Sequence, residues 1–173
     1  MKELWKQYDK AELTHSSAHY LMAMHDLIKK HGYARAVDVA RYLNLSRGSV
    51  SLSLNRLKKR GFLSEDNNKF LFLTKKGKKT VNAVINKRRI IIQFLKEVLL
   101  LPVEIAESDA CKIEHLISDE TGKNLMTFIG YFLSDSEISK KFKEGFGKFI
   151  YACSQQPDCN ICELECFFAQ NKR

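Results

Sequence analysis

The stretch Ala36-Val37-Asp38-Val39-Ala40-Arg41-Tyr42-Leu43-Asn44-Leu45-Ser46-Arg47-Gly48-Ser49-Val50-Ser51-Leu52-Ser53-Leu54-Asn55-Arg56-Leu57 decides the fold. Val37, Val39, Ala40 and Leu43 recur at helical spacing, Asn44-Leu45-Ser46 breaks the period, and Val50, Leu54 and Leu57 resume it as far as Gly61. Ser46 has the hydroxyl that caps a helix start. Two short helices joined by a tight turn predict a helix-turn-helix, whose second helix is the one built to enter a DNA major groove.

Upstream, Leu21, Met24, Leu27 and Ile28 mark an amphipathic helix over Ser16–Lys30, closed by Gly32. Downstream, Phe62-Leu63, the turn formers Glu65-Asp66-Asn67-Asn68 and the aromatic run Lys69-Phe70-Leu71-Phe72-Leu73 predict a β-hairpin wing. Thr74 opens a long helical run to about Leu101, where Pro102 stops it; further helices are expected over Ala106–Ser118, Gly122–Leu133 and Asp135 to about Gly145. The fold class is mainly α: a winged helix-turn-helix DNA-binding domain over residues 1–74, an all-α domain over 75–148 and a Cys-rich tail over 149–173.

Of the 173 residues, 45% are hydrophobic and 28% charged, the composition of a folded soluble chain. The most apolar run, Ile90–Val103, is interrupted by Gln93, Lys96 and Glu97, and the N-terminus lacks a basic-then-apolar signal pattern. No membrane partner and a cytoplasmic location are therefore expected. The net charge is +9, yet between Asp38 and Arg89 fourteen Lys or Arg face three acids, a local +11 that leaves the remainder slightly acidic. Such a segment suits a polyanion, and here double-stranded DNA. Candidate contacts are Arg47, Ser49, Ser51, Ser53 and Arg56 on the second helix and Ser46 at its start, with Lys58, Lys59 and Arg60 behind them, Arg35 ahead of the first helix and Lys69 on the wing. No Gly-rich phosphate loop, nucleophile elbow or HExxH motif is present, so an enzyme is not expected.

In Asp109-Ala110-Cys111-Lys112-Ile113-Glu114-His115, helical spacing i, i+3, i+4 puts Cys111, Glu114 and His115 on one face. A thiolate, a carboxylate and an imidazole there could hold a transition metal; the plainer alternative is a small buried cysteine with a polar edge.

Tyr33-Ala34-Arg35, Ser46-x-x-Ser49-Val50, Leu73-Thr74-x-x-Gly77 and Asp109-Ala110-Cys111-x-x-Glu114-His115-x-x-Ser118-Asp119-Glu120, in that order, resemble the iron-dependent repressor family, which includes the diphtheria toxin repressor and manganese-responsive regulators. The similarity runs from about Ser16 to Leu133. It implies a winged-helix domain joined to a helical metal-binding and dimerisation domain, acting as a homodimeric, metal-dependent repressor that controls metal homeostasis at an operator. It also implies a metal site of His19, Cys111, Glu114 and His115, linking the first helix to the second domain. Met22 falls where the manganese-responsive branch has a Glu. At the family's second metal position Arg88 and Ile92 replace a His and a Glu, and Glu107 aligns with the next His, so that site is expected to be lost, with Arg88 free to pair with Glu107. Two imidazoles, a thiolate and a carboxylate are softer than a manganese site, which favours Fe(2+) over Mn(2+), with zinc, nickel or cobalt as substitutes.

Cys153-x5-Cys159-x2-Cys162-x3-Cys166 places four thiols within fourteen residues, a spacing suited to a four-iron, four-sulfur (4Fe–4S) cluster or to Zn(2+). The tail departs from the family pattern. It keeps open an iron–sulfur redox or nitric-oxide sensor, in which the His19 set is vestigial, and a non-regulatory accessory of ferrous transport.

Overall fold

The computed structural model describes residues 13–154. Of the cysteines expected to hold a cluster or zinc, Cys153 falls on the final helix, and Cys159, Cys162 and Cys166 lie outside the described residues.

Helix α1 (His15–His31) starts where the Thr14 side chain accepts the Ser17 N–H and ends where Gly32, at φ 78°, returns its N–H to the Ile28 carbonyl. Ala18, Leu21 and Met24 on its inner face are fully buried. Helix α2 (Ala36–Leu43) closes on Asn44 in the left-handed region, at φ 53°, a conformation that Asn tolerates better than most side chains. The expected cap then starts α3 (Arg47–Lys59), with Ser46 Oγ accepting the Ser49 N–H.

The wing pairs β1 (Leu63–Glu65) with β2 (Leu71–Leu73) antiparallel, Leu63 opposite Leu73, and Ala34 bridges to Leu71 beside them. Asp66 closes the turn by accepting the N–H groups of Asn68 at 2.9 Å and Phe70 at 2.8 Å. Thr74 joins wing to helix: its hydroxyl donates to the Gly61 carbonyl at 2.7 Å and accepts the Gly77 N–H at 3.0 Å. Gly77 has to be glycine, since a Cβ there would lie 2.1 Å from the Phe62 carbonyl oxygen.

Four helices follow: α4 (Lys75–Glu97), α5 (Val103–Ile113), α6 (Asp119–Phe132) and α7 (Glu137–Ser154). Their boundaries differ from the sequence expectation for local reasons. Helix α4 stops four residues before Leu101, because the residue before a proline is pushed out of the helical region and Leu100 already sits at φ 56°. Helix α5 opens directly behind Pro102, which supplies its N-cap. Helix α6 begins at Asp119, where Ser118 Oγ accepts the Thr121 N–H at 3.0 Å. Helix α7 runs through Gly145 and Gly147, with Phe142 and Phe146 stacked one turn apart at 6.0 Å. That ring contact offsets part of the roughly 1 kcal/mol each helical glycine costs.

The chain divides into two compact units between Ile129 and Gly130. In the first, Leu21, Met24, Val39, Val50, Leu54, Leu57 and Phe62 form a continuous core with Val81 and Val84 of α4. Helix α1 touches α2, α3, β2 and α4, so it belongs to the winged helix and to the long helix at once. In the second unit, buried Ser139 donates its hydroxyl to the Phe132 carbonyl at 2.6 Å. Among the described residues no helix is long and apolar enough to cross a membrane.

Candidate metal centre and nucleic-acid interface

His19 lies on α1 and Cys111 in the last turn of α5, and both are half-buried. Their side chains meet across 92 positions of sequence, Nε2 to Sγ 3.2 Å. His15, one turn before His19 on the same face, joins them: one ligand atom from each of His15, His19 and Cys111 lies within 4.8 Å of the other two. Ligand atoms around a four-coordinate ion are about 3.4–3.8 Å apart for bonds of about 2.1–2.3 Å. Small rotamer changes would close the difference. The His15 ring also lies against those of His19, at 4.5 Å between centroids, and His115, at 5.0 Å.

Glu114 and His115 follow the end of α5, and each of the three expected side chains meets a different neighbour. Cys111 meets His19, His115 meets His15, and Glu114 turns to Arg88 of α4, whose Nε is 3.7 Å from Oε2. The expected Arg88 partner was Glu107. That residue is exposed and solvated, whereas Glu114 has no exposure at all and gains far more from a cation in its low-dielectric surroundings. Ile92, one turn after Arg88, is half-buried and brings no ligand atom. Met22 is half-buried and packs on the winged-helix core.

Buried polar atoms gather at this site. Neither Glu114 oxygen has a hydrogen-bond partner, nor has the buried His115 Nδ1. Burial raises the Glu114 carboxyl to about 7, against the opposing pull of the Arg88 guanidinium. Burial foremost, then the charges of His15, Arg88 and His115, holds the His19 imidazole below its ordinary value; His115 is lowered by burial and by His15. Neutral imidazoles are the ligand form. These residues fit a divalent transition ion. His15 is the one that reading the sequence missed, and the signal was there: His15-x3-His19 puts two imidazoles on one helix face.

On the DNA-binding side, Arg47, Ser51, Asn55 and Arg56 are exposed on α3, as is Lys59. Ser46 and Ser49 hold each other at 2.8 Å between hydroxyls, and Ser53 is half-buried. Asn55, one turn beyond Ser51, was not foreseen, though an amide there can read an adenine edge. Lys58, expected at phosphates, is instead ion-paired with Glu65 of β1. Lys69, at φ 65° in the wing turn, keeps its side chain 81% exposed. The Arg35 guanidinium lies 4.2 Å over the Phe70 ring. Arg35, Ser51, Asn55 and Lys69 line one cleft of about 450 Å³ between α3 and the wing.

The fold is thus a winged helix whose first helix shares an imidazole–thiol cluster with a later helix, an arrangement in which a metal ion could bias a DNA-binding element. Comparison with known proteins gives the family. Residues 12–70 match the iron dependent repressor N-terminal DNA binding domain, and residues 74–143 match the iron dependent repressor metal binding and dimerisation domain. The chain belongs to the iron-dependent repressor family.

It is 30% identical over 115 residues to the iron-dependent repressor IdeR of Mycobacterium tuberculosis, covering 66% of this chain and 50% of that protein. It is 29% identical over 130 residues to the HTH-type transcriptional regulator MntR of Bacillus subtilis, covering 75% and 91%. Among solved structures, IdeR of T. acidophilum superposes with a TM-score of 0.56 at 26% identity, over 65% of this chain and 53% of that one. The chain thus spans about half the length of the iron-dependent repressors it matches. The matched region ends at residue 143, short of the four tail cysteines.

Proposed function

We propose that this chain is a metal-dependent transcriptional repressor that binds operator DNA as a homodimer and answers to ferrous iron. The contact between His19 and Cys111 carries the reading, because it ties the helix that packs on α3 to the helix that carries the rest of the site. His19 and Cys111 would hold the ion, with Glu114 and His115 offering their buried unpartnered atoms beside them. When bound, the ion supplies a Lewis-acid centre that replaces a weak nitrogen–sulfur contact by coordinate bonds. Fixing His19 against Cys111 fixes α1, and α1 in turn seats α3 with its outward Arg47, Ser51, Asn55 and Arg56. A thiol among imidazoles supports iron over manganese. A homodimer is supported by the match to a dimerisation domain and by the exposed Leu100, Val103, Ile105, Ile113 and Leu116 on and around α5, an apolar surface a second copy would cover.

The test is anaerobic binding to a duplex selected from a random pool, with iron(II), manganese(II) or chelator. Ferrous iron is expected to tighten binding by about 10-fold or more, within the usual range of allosteric coupling, and Cys111→Ser to lose that gain. Equal affinity with iron and with chelator would sink the reading.

A further inference from the structure

We propose that His15 is a ligand of the regulatory metal, so that His15, His19 and Cys111 form a nitrogen–sulfur centre for an ion of the zinc, cobalt(II) or ferrous class. The inference rests on the metal-dependent reading above and extends it to a residue that the family resemblance does not supply. Three observations carry it. A ligand atom of His15 lies within 4.8 Å of those of His19 and Cys111, whereas Glu114, from the expected set, is turned toward Arg88. His15 and His19 are one turn apart on a single helix, so their separation is set before any ion arrives and little side-chain freedom is lost on chelation. Finally, the His15 ring lies against those of His19 and His115, and among the described residues no carboxylate is ion-paired with any of the three.

Packing gives no competing reason for His15 to be there. It is exposed at the first position of α1, and the Thr14 side chain does the capping. Arg88 matters to the character of the site, since its guanidinium is ion-paired with the buried Glu114 carboxylate. Imidazole nitrogens and a sulfur then dominate the donor set, which suits borderline ions better than manganese or magnesium.

The test is a cobalt(II) titration of the full chain, read by absorbance, for the wild type and for His15→Ala, Cys111→Ser and His25→Ala. Any thiolate–cobalt band from the tail cysteines persists in Cys111→Ser, so the readout is the wild-type spectrum minus that of Cys111→Ser. A thiolate-to-cobalt band in this difference, with an affinity that falls roughly 100-fold or more in His15→Ala, is the expected result; such a loss is at or beyond the upper end of what removing an outer-shell partner costs. His25, on the same helix but hydrogen-bonded to Asp26, should titrate like the wild type. If His15→Ala stays within about threefold of wild type while the Cys111 band remains, below the usual cost of even an outer-shell partner, His15 is no ligand and the metal-dependent reading survives. A featureless difference spectrum would overturn both.

Discussion

The wing and the α1–α5 site treat their polar groups in opposite ways. In the wing, Asp66 accepts two backbone N–H groups, Thr74 both donates and accepts, and Lys58 pairs with Glu65. At the site, a fully buried carboxylate has no hydrogen bond and a buried ring nitrogen has none either. Unsatisfied buried groups each cost about 1–3 kcal/mol, so atoms that make no hydrogen bond here stand out against the fully satisfied wing.

The largest expected effect breaks the first side of that contrast. Gly77→Ala would put a methyl 2.1 Å from the Phe62 carbonyl oxygen, against backbone that Thr74 already binds. Relief requires moving wing and α4 apart, and a loss of about 3 kcal/mol is expected from urea unfolding, at the upper end of overpacking costs. A loss below about 1 kcal/mol would show that the junction yields easily and is not the rigid side of the comparison.

A smaller effect of opposite sign tests the second side. Glu114→Met removes the carboxylate that accepts no hydrogen bond, and Arg88, with 28% of its side chain exposed, can turn to water. The metal-free protein should gain about 1 kcal/mol, since apolar replacement of a poorly satisfied buried pair is often stabilising. A loss of that size instead would mean that the Arg88 pair is a structural element and the site is not strained without its ion.

The same contrast governs what could be read in the sequence. The caps at Ser46 and Thr74 and the turn at Asp66 are local, each closing within four residues, and they were legible as such. The triplet Cys111, Glu114 and His115 was legible as ligand chemistry, but which neighbour each side chain meets was not. Whether Arg88 meets Glu107 or Glu114 depends on which carboxylate is buried, and burial follows from packing between α4 and α5, not from spacing. His15 lies outside the set that the family resemblance implies, even though its spacing to His19 is in plain view in the sequence. Helix α7 runs past its expected end at Gly145, with the Phe142–Phe146 ring contact spanning that glycine.

The smallest effect asks whether the helical region outside the site follows the wing's rule. Lys87 of α4 donates to the Ile117 carbonyl at 2.9 Å and reaches Asp119 Oδ1 at 2.8 Å, tying α4 to the start of α6. The hydrogen bond and charge of Lys87 hold the Asp119 carboxyl below its ordinary value. A carboxyl depressed in the folded state stabilises above its unfolded pKa, about 4, and that contribution disappears as pH falls through the folded value. Because the Asp119 side chain is 72% exposed, water screens the pair, and Asp119→Asn should cost only about 0.5 kcal/mol at pH 7. The cost should shrink when unfolding is measured near pH 3. An equal cost at both pH values would assign the effect to the α6 helix start and not to the ion pair. A shrinking cost would show that the helical region, like the wing, satisfies its charges wherever the α1–α5 site does not claim them.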